Sequence, residues 1–555
     1  MYDQDKRDIP SVVKNILKER GFKDEEIREF LSESPQLTHD PFLLGGMREG
    51  VDLLVNAIDQ GRKIVIYGDY DADGTTATAL MLRVLRTLTP NLDYYIPSRF
   101  AEGYGLNRDS IRKIREGGGE LLITVDCGIV SCGEIRYAHE IGMETIVTDH
   151  HNVGDDLPDG AVIDPRIPGD EYPFKGLAGV GVAYKLACAL SKVRDVPRRI
   201  ITEVLELAAI GTIADIMPLT DENRTIVKYG LRLMRGGGRN IGIVNLAKAA
   251  GIDLKKINSG NISFGLAPRI NAAGRIEDAS LAVKLMITDD DKEARTLAHE
   301  LDSINSERKS LQEEAFNQCL PKGEEALKEG DFILIESKGC HEGILGIVAG
   351  KIREIIKRPV VIVQKSGGYL KGTGRSRGDV DLHAMLGKYR YLFEKFGGHK
   401  AACGFTMSED RLEELKAGLN CDMARAYAEK PYIFDETYEA EAMVDIRDAG
   451  IELAEAVEMF EPCGKGNKKP VLELKDVSIG DWKFIGAKEE HARFKTYGEG
   501  GKSLQCVNFG EAGRLKDIID RNDGGRFSVD GYIEKNEWNG FTNAQMRVLN
   551  IHESL

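Results

Sequence analysis

Between residue 63 and about residue 220, short apolar runs alternate with longer stretches of helical spacing. The first run, Lys63-Ile64-Val65-Ile66-Tyr67-Gly68, is β-branched and aromatic and ends in glycine. It reads as a strand buried on both faces, as in a parallel sheet. Residues 75–82 begin a helix, with Gly74 in the turn between. Runs at 121–125, 144–147 and 161–163 repeat the pattern, and a helical stretch leads to residues 211–218. Strands alternating with helices predict a doubly wound parallel sheet, here over residues 61–276. Residues 1–60 read as an N-terminal helical segment, with helical spacing at 11–18 and 47–58. Residues 277–327 are charged and helical, with Leu281, Leu285, Leu297, Leu301, Ile304, Leu311 and Ala315 on one face. A connector helix of about thirty residues spans about 45 Å. The pattern returns to strand at Phe332-Ile333-Leu334-Ile335, opening a second α/β domain expected over 328–430. Short strands at 471–474, 493–497, 505–509 and 531–533 then predict a small barrel over 431–555. The fold class is α/β: a parallel-sheet domain, a long helix, a second α/β domain and a β-barrel.

Chemistry gathers where the strands end. Asp69, Asp71 and Asp73 follow the first run, Asp126 the second, Asp149-His150-His151 the third and Asp164 the fourth, while Asp215 follows a helix. Open α/β sheets place their ligands at this carboxyl edge. One Asp-rich turn could be only a helix cap. Three successive strand ends and a further Asp exceed what capping needs. Carboxylates crowded together repel, and a divalent cation is the simplest thing to hold them. An Asp/His set suits Mn2+ or Mg2+ better than zinc, which favours thiolates in closed sites. Two such ions bridged by one carboxylate would activate water and neutralise charge on a phosphate. Adjacent side chains on an extended chain diverge, so His150 and His151 are expected to divide their work between metal and substrate. In the second α/β domain, Gly372-Thr373-Gly374-Arg375-Ser376-Arg377 is a glycine-rich turn with two guanidiniums, suited to phosphate. Gly397-Gly398-His399 is another backbone-exposing turn, and Arg99 and Arg275 are candidates for the opposite wall.

Composition limits the reading. Hydrophobic residues make up 42% and charged residues 30% of the 555, as in ordinary globular proteins. No run approaches the ~20 apolar residues of a membrane helix, and the charged start Met1-Tyr2-Asp3-Gln4-Asp5-Lys6-Arg7-Asp8 lacks a signal-peptide core. Nine cysteines without CxxC pairs do not form a disulfide framework, so a reduced, cytoplasmic protein is expected. The net charge of −15 runs against a broad basic surface. Any nucleic acid must therefore meet positive charge confined to a groove.

Taken in order, Asp71-Ala72-Asp73-Gly74, Asp126, Asp149-His150-His151 and Asp215 resemble the four motifs of the DHH phosphoesterases. The runs 341–349 (HEGILGIVA) and 397–405 (GGHKAACGF) resemble the DHH-associated domain. Gly103-Tyr104-Gly105-Leu106, Pro268-Arg269-Ile270-Asn271-Ala272-Ala273-Gly274-Arg275 and Glu461-Pro462-Cys463-Gly464-Lys465-Gly466-Asn467 narrow the resemblance to the RecJ family of bacterial exonucleases, over nearly the whole chain. That resemblance implies a DHH domain, a DHH-associated domain and an OB-fold. It implies metal ligation by Asp71, Asp73, Asp126, His150 and Asp215, with Asp126 bridging, Asp69 as a further ligand and His151 on the scissile phosphate. Asp149 would orient a neighbouring imidazole. Substrate would meet Arg375 and His399, and also Arg99, Arg275 and Thr373. Some members of the superfamily carry a His four residues before the first Asp of the pair, where this chain has Tyr67. The implied activity is 5′→3′ degradation of single-stranded DNA to nucleotides in repair and recombination, by metal-activated water, with a pair of Mn2+ or Mg2+ ions. Single-strand-binding protein and a helicase are the implied partners, and no membrane is involved. The alternatives are a DHH phosphodiesterase for short oligonucleotides or cyclic dinucleotides, against which the C-terminal barrel speaks, and a non-catalytic DNA-binding replication scaffold, against which the filled ligand positions speak.

Overall fold

In the computed structural model, residues 9–99, 102–103, 105–435, 438–522, 524–538 and 540–554 are described; Tyr104 of the Gly103–Leu106 motif lies outside them. The first apolar run is β1 (Ile64–Gly68), buried at every position. With β2 (Leu92–Tyr95), β3 (Leu121–Val125), β4 (Glu144–Thr148) and β5 (Ala161–Ile163) it forms a parallel sheet in the order β2-β1-β3-β4-β5. The edge strand β2, only four residues long and half exposed, carries no apolar run and was not among the expected strands. The order reverses beside β1, and there the carboxyl ends of β1 and β3 open a crevice.

The helix Ala72–Leu85 leaves β1 and is buried along its whole length. Its Ala, Gly and Thr residues let it lie between the sheet and the helices Gly179–Val193 and Leu205–Ala214. Gly74 is not in the turn but inside this helix. Its missing side chain is what lets the helix approach β1, since a Cβ there would stand 2.6 Å from the Asp69 backbone.

Residues 9–60 do not form one unit. Val13, Ile16, Leu17, Ile27 and Phe30, from the helices Ser11–Glu19 and Asp24–Leu31, share a core with the C-terminal barrel. The helix Met47–Asp59 instead buries Met47, Val51 and Leu54 in the core of the first sheet. An amphipathic stripe declares that a face is buried and is silent about which partner covers it.

The long helix runs Asp291–Ala326, 36 residues, and spans about 54 Å. It leads to β6 (Ile333–Ser337), β7 (Val360–Ser366), β8 (Tyr369–Arg375), β9 (Phe393–His399) and β10 (Ala402–Ser408), a mixed sheet in the order β6-β7-β8-β10-β9. The remaining strands are β11 (Ala442–Val444), β12 (Leu472–Ile485), β13 (His491–Tyr497), β14 (Ser503–Asn508), β15 (Phe527–Trp538) and β16 (Phe541–Glu553). Pairing of β12 with β15 closes β12-β13-β14-β16-β15 into the expected barrel. Among the described residues no helix is long and apolar enough to cross a membrane.

One buried cation ties the barrel and the N-terminal helices to the first domain. Arg224, on the helix Asp221–Arg235, donates to the carbonyls of Phe30 (3.1 Å), Phe460 (3.1 Å), Glu461 (3.0 Å) and Pro462 (3.2 Å). Its guanidinium also lies 3.7 Å from the Phe30 ring centroid. Burial pulls its pKa down to about 10, so it stays charged at neutral pH. Arg224→Met takes the donor from Glu461 O and one of two donors from Phe30 O, Phe460 O and Pro462 O, and is expected to cost about 3–5 kcal/mol. The check is urea denaturation followed by barrel and first-domain probes; an unchanged midpoint would refute the assignment.

Candidate active site

The acidic groups expected at the strand ends converge on one edge. Asp71 is the N-cap of Ala72–Leu85, its Oδ1 accepting from the N–H groups of Asp73 (2.8 Å) and Gly74 (3.0 Å). Asp73 points back across the sheet, where Oδ2 accepts from Gly179 N (2.7 Å) and Oδ1 from Val180 N (2.9 Å) at the start of Gly179–Val193. A helix N-terminus is a natural seat for a buried carboxylate. Asp126 follows β3 with φ 61°, a left-handed position that Asp tolerates and that swings its carboxylate over the strand end. Asp149 follows β4 and accepts from Ile129 N (2.9 Å), His150 N (2.7 Å) and His151 Nδ1 (2.7 Å). Asp215 caps the C-terminus of Leu205–Ala214.

Around His150 these carboxylates meet. Its Nε2 is 3.1 Å from Asp126 Oδ1, 3.6 Å from Asp215 Oδ2 and 3.8 Å from Asp73 Oδ2. The donor atoms of Asp73, His150 and Asp215 lie within 4.8 Å of one another, as do those of Asp69, Asp71 and Asp126. Asp126 belongs to the second group and touches His150 of the first. Asp69, Asp73, Asp126, Asp149 and His150 are each at most 4% exposed. The side chains of His151 and Asp215 are 39% and 29% exposed, so the open face of the site lies on their side.

Burial and mutual repulsion dominate the electrostatics. Desolvation, then Asp215 and Asp71, raise Asp73 well above the usual carboxylate range. Desolvation, then Asp73, Asp71 and Asp69, do the same to Asp126. Desolvation and Asp71 push Asp215 up to about 7. Desolvation holds His150 neutral, with a pKa of about 3. Desolvation is the largest single influence on His151 and opposes its charged form, but the hydrogen bond and charge of Asp149, with the charges of Asp215 and Asp73, together outweigh it and raise His151 to about 9. The two imidazoles thus have opposite characters, a neutral donor among carboxylates and a cation at the open face.

Buried atoms at the centre remain unsatisfied. Asp69 Oδ1, Asp126 Oδ1 and both ring nitrogens of His150 have no hydrogen-bond partner, although they crowd one another. Such orphaned donor atoms, all oxygen or imidazole nitrogen, fit a divalent cation. Tyr67 takes no part, being buried among Val65, Leu106 and Ile111, with its hydroxyl donating to Gly105 O at 3.1 Å.

A second group of cations borders this edge. Arg99 stacks 5.0 Å from the Tyr70 ring centroid. Arg275 donates to Gly343 O (3.0 Å), at the start of the helix Glu342–Ile356. Desolvation, then Arg99, Arg308 and Arg375, pull its pKa down to about 10. Thr373 and Arg375 share one cradle against that helix: a Cβ on Gly346 would stand 2.9 Å from the Arg375 guanidinium and 3.3 Å from Thr373 Oγ1. His399 stands apart. It is exposed on β9 opposite Ala402, which pairs on its other side with Arg375.

Comparison with known proteins agrees with this architecture. Residues 63–212 match the DHH family N-terminal domain, 330–423 the DHHA1 domain and 440–550 the RecJ OB domain. The single-stranded-DNA-specific exonuclease RecJ of Bacillus subtilis is 38% identical over 544 residues, covering 97% of this chain and 68% of the relative. The chain belongs to the RecJ family. A solved structure of RecJ from Thermus thermophilus in complex with Mn2+ superimposes with a TM-score of 0.81 at 31% identity, covering 98% of this chain and 76% of that one. An exonuclease RecJ structure bound to manganese matches with a TM-score of 0.60 at 38% identity, covering 69% and 95%.

Within this RecJ-family site, several partners escaped the sequence reading. Arg308, on the helix Asp291–Ala326, joins the arginine group, held by Asn305 Oδ1 (3.2 Å) and Gln312 Oε1 (3.0 Å). The 3–4-residue spacing of Asn305, Arg308 and Gln312 on one buried helix face was the available signal. Asn271 accepts from Ala72 N (2.8 Å) and secures the turn that carries Asp71 and Asp73. The Gly179 and Val180 amides on Asp73 leave no side-chain signature.

The raised carboxyls fix a pH dependence in the metal-free protein. A carboxyl whose folded pKa exceeds its unfolded value contributes stability below about pH 4 that is lost as pH rises through the folded pKa; for Asp215 that is about 7. In chelator, the melting temperature is therefore expected to fall between pH 5 and pH 8. Added Mn2+ should restore about 5 °C or more at pH 8 and little at pH 5. Equal Mn2+ shifts at both pH values would contradict this.

Proposed function

We propose that the chain is a divalent-metal-dependent exonuclease that degrades single-stranded DNA from its 5′ end. The observation that carries the reading is the pair of ligand groups, Asp69–Asp71–Asp126 and Asp73–His150–Asp215, meeting at one sheet edge beside a group of arginines. Asp69, Asp71, Asp73, Asp126, His150 and Asp215 would hold Mn2+ or Mg2+ ions, and Asp126 is the carboxylate in contact with both groups. Bound there, the ions supply charge neutralisation for the phosphodiester and water of lowered pKa. His151, cationic and held by Asp149, faces the open side and hydrogen-bonds the scissile phosphate. His150 stays neutral, so one ring nitrogen keeps its proton while the other offers a lone pair to a metal.

Among the described residues, Arg275, Arg308 and Arg375 are held by carbonyl and amide oxygens and pair with no carboxylate. Together with Arg99, Thr373 and the N-terminus of Glu342–Ile356 they form a seat for a terminal phosphate. A 5′ phosphate seated there leaves an internal phosphodiester at the acidic edge, which accounts for 5′→3′ polarity. His399, exposed on the same sheet, contacts the strand further out. The barrel is suited to the trailing strand. Repair and recombination are the settings for such an activity, with single-strand-binding protein and a helicase as its partners. Nine free cysteines suit the cytoplasm.

The reading is tested with 5′-labelled and 3′-labelled single-stranded DNA and Mn2+. Early release of the 5′ label is expected, and Asp126→Ala should abolish it. Turnover of dinucleotides alone would favour a small-substrate phosphodiesterase, and binding without hydrolysis a scaffold. The phosphate seat makes a separate prediction. Arg275→Ala should lose about tenfold or more in kcat/KM on 5′-phosphorylated DNA, the weight of a charge-assisted contact. The loss should be small on 5′-hydroxyl DNA, and an equal loss on both substrates would remove Arg275 from the seat.

A further inference from the structure

The segment Glu461-Pro462-Cys463-Gly464-Lys465-Gly466-Asn467 precedes the barrel strand β12, yet it lies against the first domain. Leu219 N donates to Lys465 O at 2.8 Å. Gly464 sits so close to Leu219 that a Cβ would be 2.8 Å from its side chain. Gly466, at φ 73°, leaves 3.2 Å to Pro218 and Thr220. The ends of the segment are fixed from several directions. Arg224 takes the carbonyls of Phe460, Glu461 and Pro462. The Asn467 amide donates to Phe460 O and Pro462 O, both at 2.8 Å. Ser259 Oγ donates to Cys463 O at 2.7 Å, and Arg20 reaches Asn467 Oδ1 at 3.0 Å. The backbone at Lys465 is thus held at many points while its side chain is exposed.

The loop that receives this segment begins at the acidic cluster. Asp215 is followed by Ile216, a β-branched residue at φ 55°, and Leu219 lies four residues beyond Asp215. Lys465 therefore stands at the Asp215 end of the site, near enough for its charge to act on that carboxylate, as does that of Arg166. Arg99 and Arg275 act at the other end, on Asp69 and Asp71. The acidic edge is flanked by cations on both sides, and those on the Asp215 side come from two domains.

We infer that Lys465 is a substrate-positioning residue that the barrel domain lends to the catalytic edge, its ammonium taking a DNA phosphate on the 3′ side of the scissile bond. This rests on the proposed 5′→3′ exonuclease, in which the arginine seat holds the opposite, 5′-terminal phosphate. A docking segment needs a backbone at this position; a phosphate needs the charge. The two roles separate experimentally, because Lys465→Gln keeps the backbone bond to Leu219.

The test uses the full chain with Mn2+ on 5′-phosphorylated single-stranded DNA. Lys465→Gln is expected to raise KM roughly tenfold, the weight of one charge-assisted hydrogen bond, with kcat nearly unchanged. Lys465→Arg should restore KM. The slope of log KM against log salt should shrink by about 0.7, one phosphate contact on a single strand. A single neutral methylphosphonate at the first linkage 3′ of the cut should raise KM for the parent chain and add nothing in Lys465→Gln. An unchanged KM in Lys465→Gln, or a methylphosphonate penalty of equal size in both proteins, overturns the inference. So does a loss that Lys465→Arg shares together with a lowered melting temperature, which would mark a docking role only. A parent chain that leaves single-stranded DNA intact would sink the exonuclease reading itself, whereas an active parent with an indifferent Lys465→Gln sinks only this inference.

Discussion

Mutual repulsion among carboxylates buried at one sheet edge is the constraint that organises this molecule. Asp69, Asp73 and Asp126 are almost inaccessible, and their pKa values are raised first by desolvation and then by neighbouring carboxylates, Asp71 acting on all three. Ionising them in this setting costs free energy. The fold meets part of this cost with backbone N–H groups: two on Asp71, two on Asp73, three on Asp149. It leaves the rest unmet at Asp126 and His150. The residual negative charge is the cation-binding capacity of the site, so a better-satisfied cluster would be a poorer one. The glycines around the cluster follow from the same crowding. A Cβ on Gly179 would stand 2.5 Å from the Asp126 carboxylate, and one on Gly211 would run into the Thr76 hydroxyl.

Those parts of the site that depend on local chain order were legible in the sequence. A carboxylate one residue past an apolar run lies at the carboxyl end of its strand wherever that strand goes, and the parallel order puts all such ends on one edge. Asp69, Asp126 and Asp149 are of this kind, and Asp71, His150 and His151 follow within three residues of a strand end. Asp215, which follows a helix, could be placed only by its resemblance to a family motif. What escaped depends on which segments meet. The amides on Asp73 come from a helix more than a hundred residues downstream, Arg308 from the connector, and Lys465 from the approach to the barrel. The helices at 11–31 carried a clear apolar stripe, yet nothing in that stripe distinguished the barrel core from that of the first sheet. Gly74 looked like a turn residue because turns are where glycine is most often needed; here it serves helix packing.

Overall charge proved a poor guide to a polyanion site. A chain with net charge −15 still concentrates cations where they count. The distinction lies in their partners. Arg269 and Asp302 pair at 2.8 Å, and Lys371 and Glu342 at 2.8 Å, so each such pair presents little net field. Arg275, Arg308 and Arg375 are oriented by neutral oxygens and keep their charge for whatever enters the cleft. Fields from unneutralised groups inside a low-dielectric cleft are focused there, whereas exposed charges beyond a Debye length are screened. Acidic surface elsewhere does not cancel such a pocket.

The acidic edge is also not the property of one domain. Its acids sit on the first sheet, its arginines come from both α/β domains and the helix between them, and the loop after Asp215 is held by the segment that leads into the barrel. Ile216, at φ 55° and 67% exposed, occupies a conformation that costs about 1–3 kcal/mol unless its surroundings impose it. The imposed geometry begins two residues later, where Pro218, Leu219 and Thr220 meet Gly464, Lys465 and Gly466. Loosening the barrel would therefore relax the very loop that carries Asp215. Docking of the barrel and the shape of the metal-binding edge are in this sense one equilibrium: whatever strengthens Arg224 and its carbonyl partners also holds Asp215 in place.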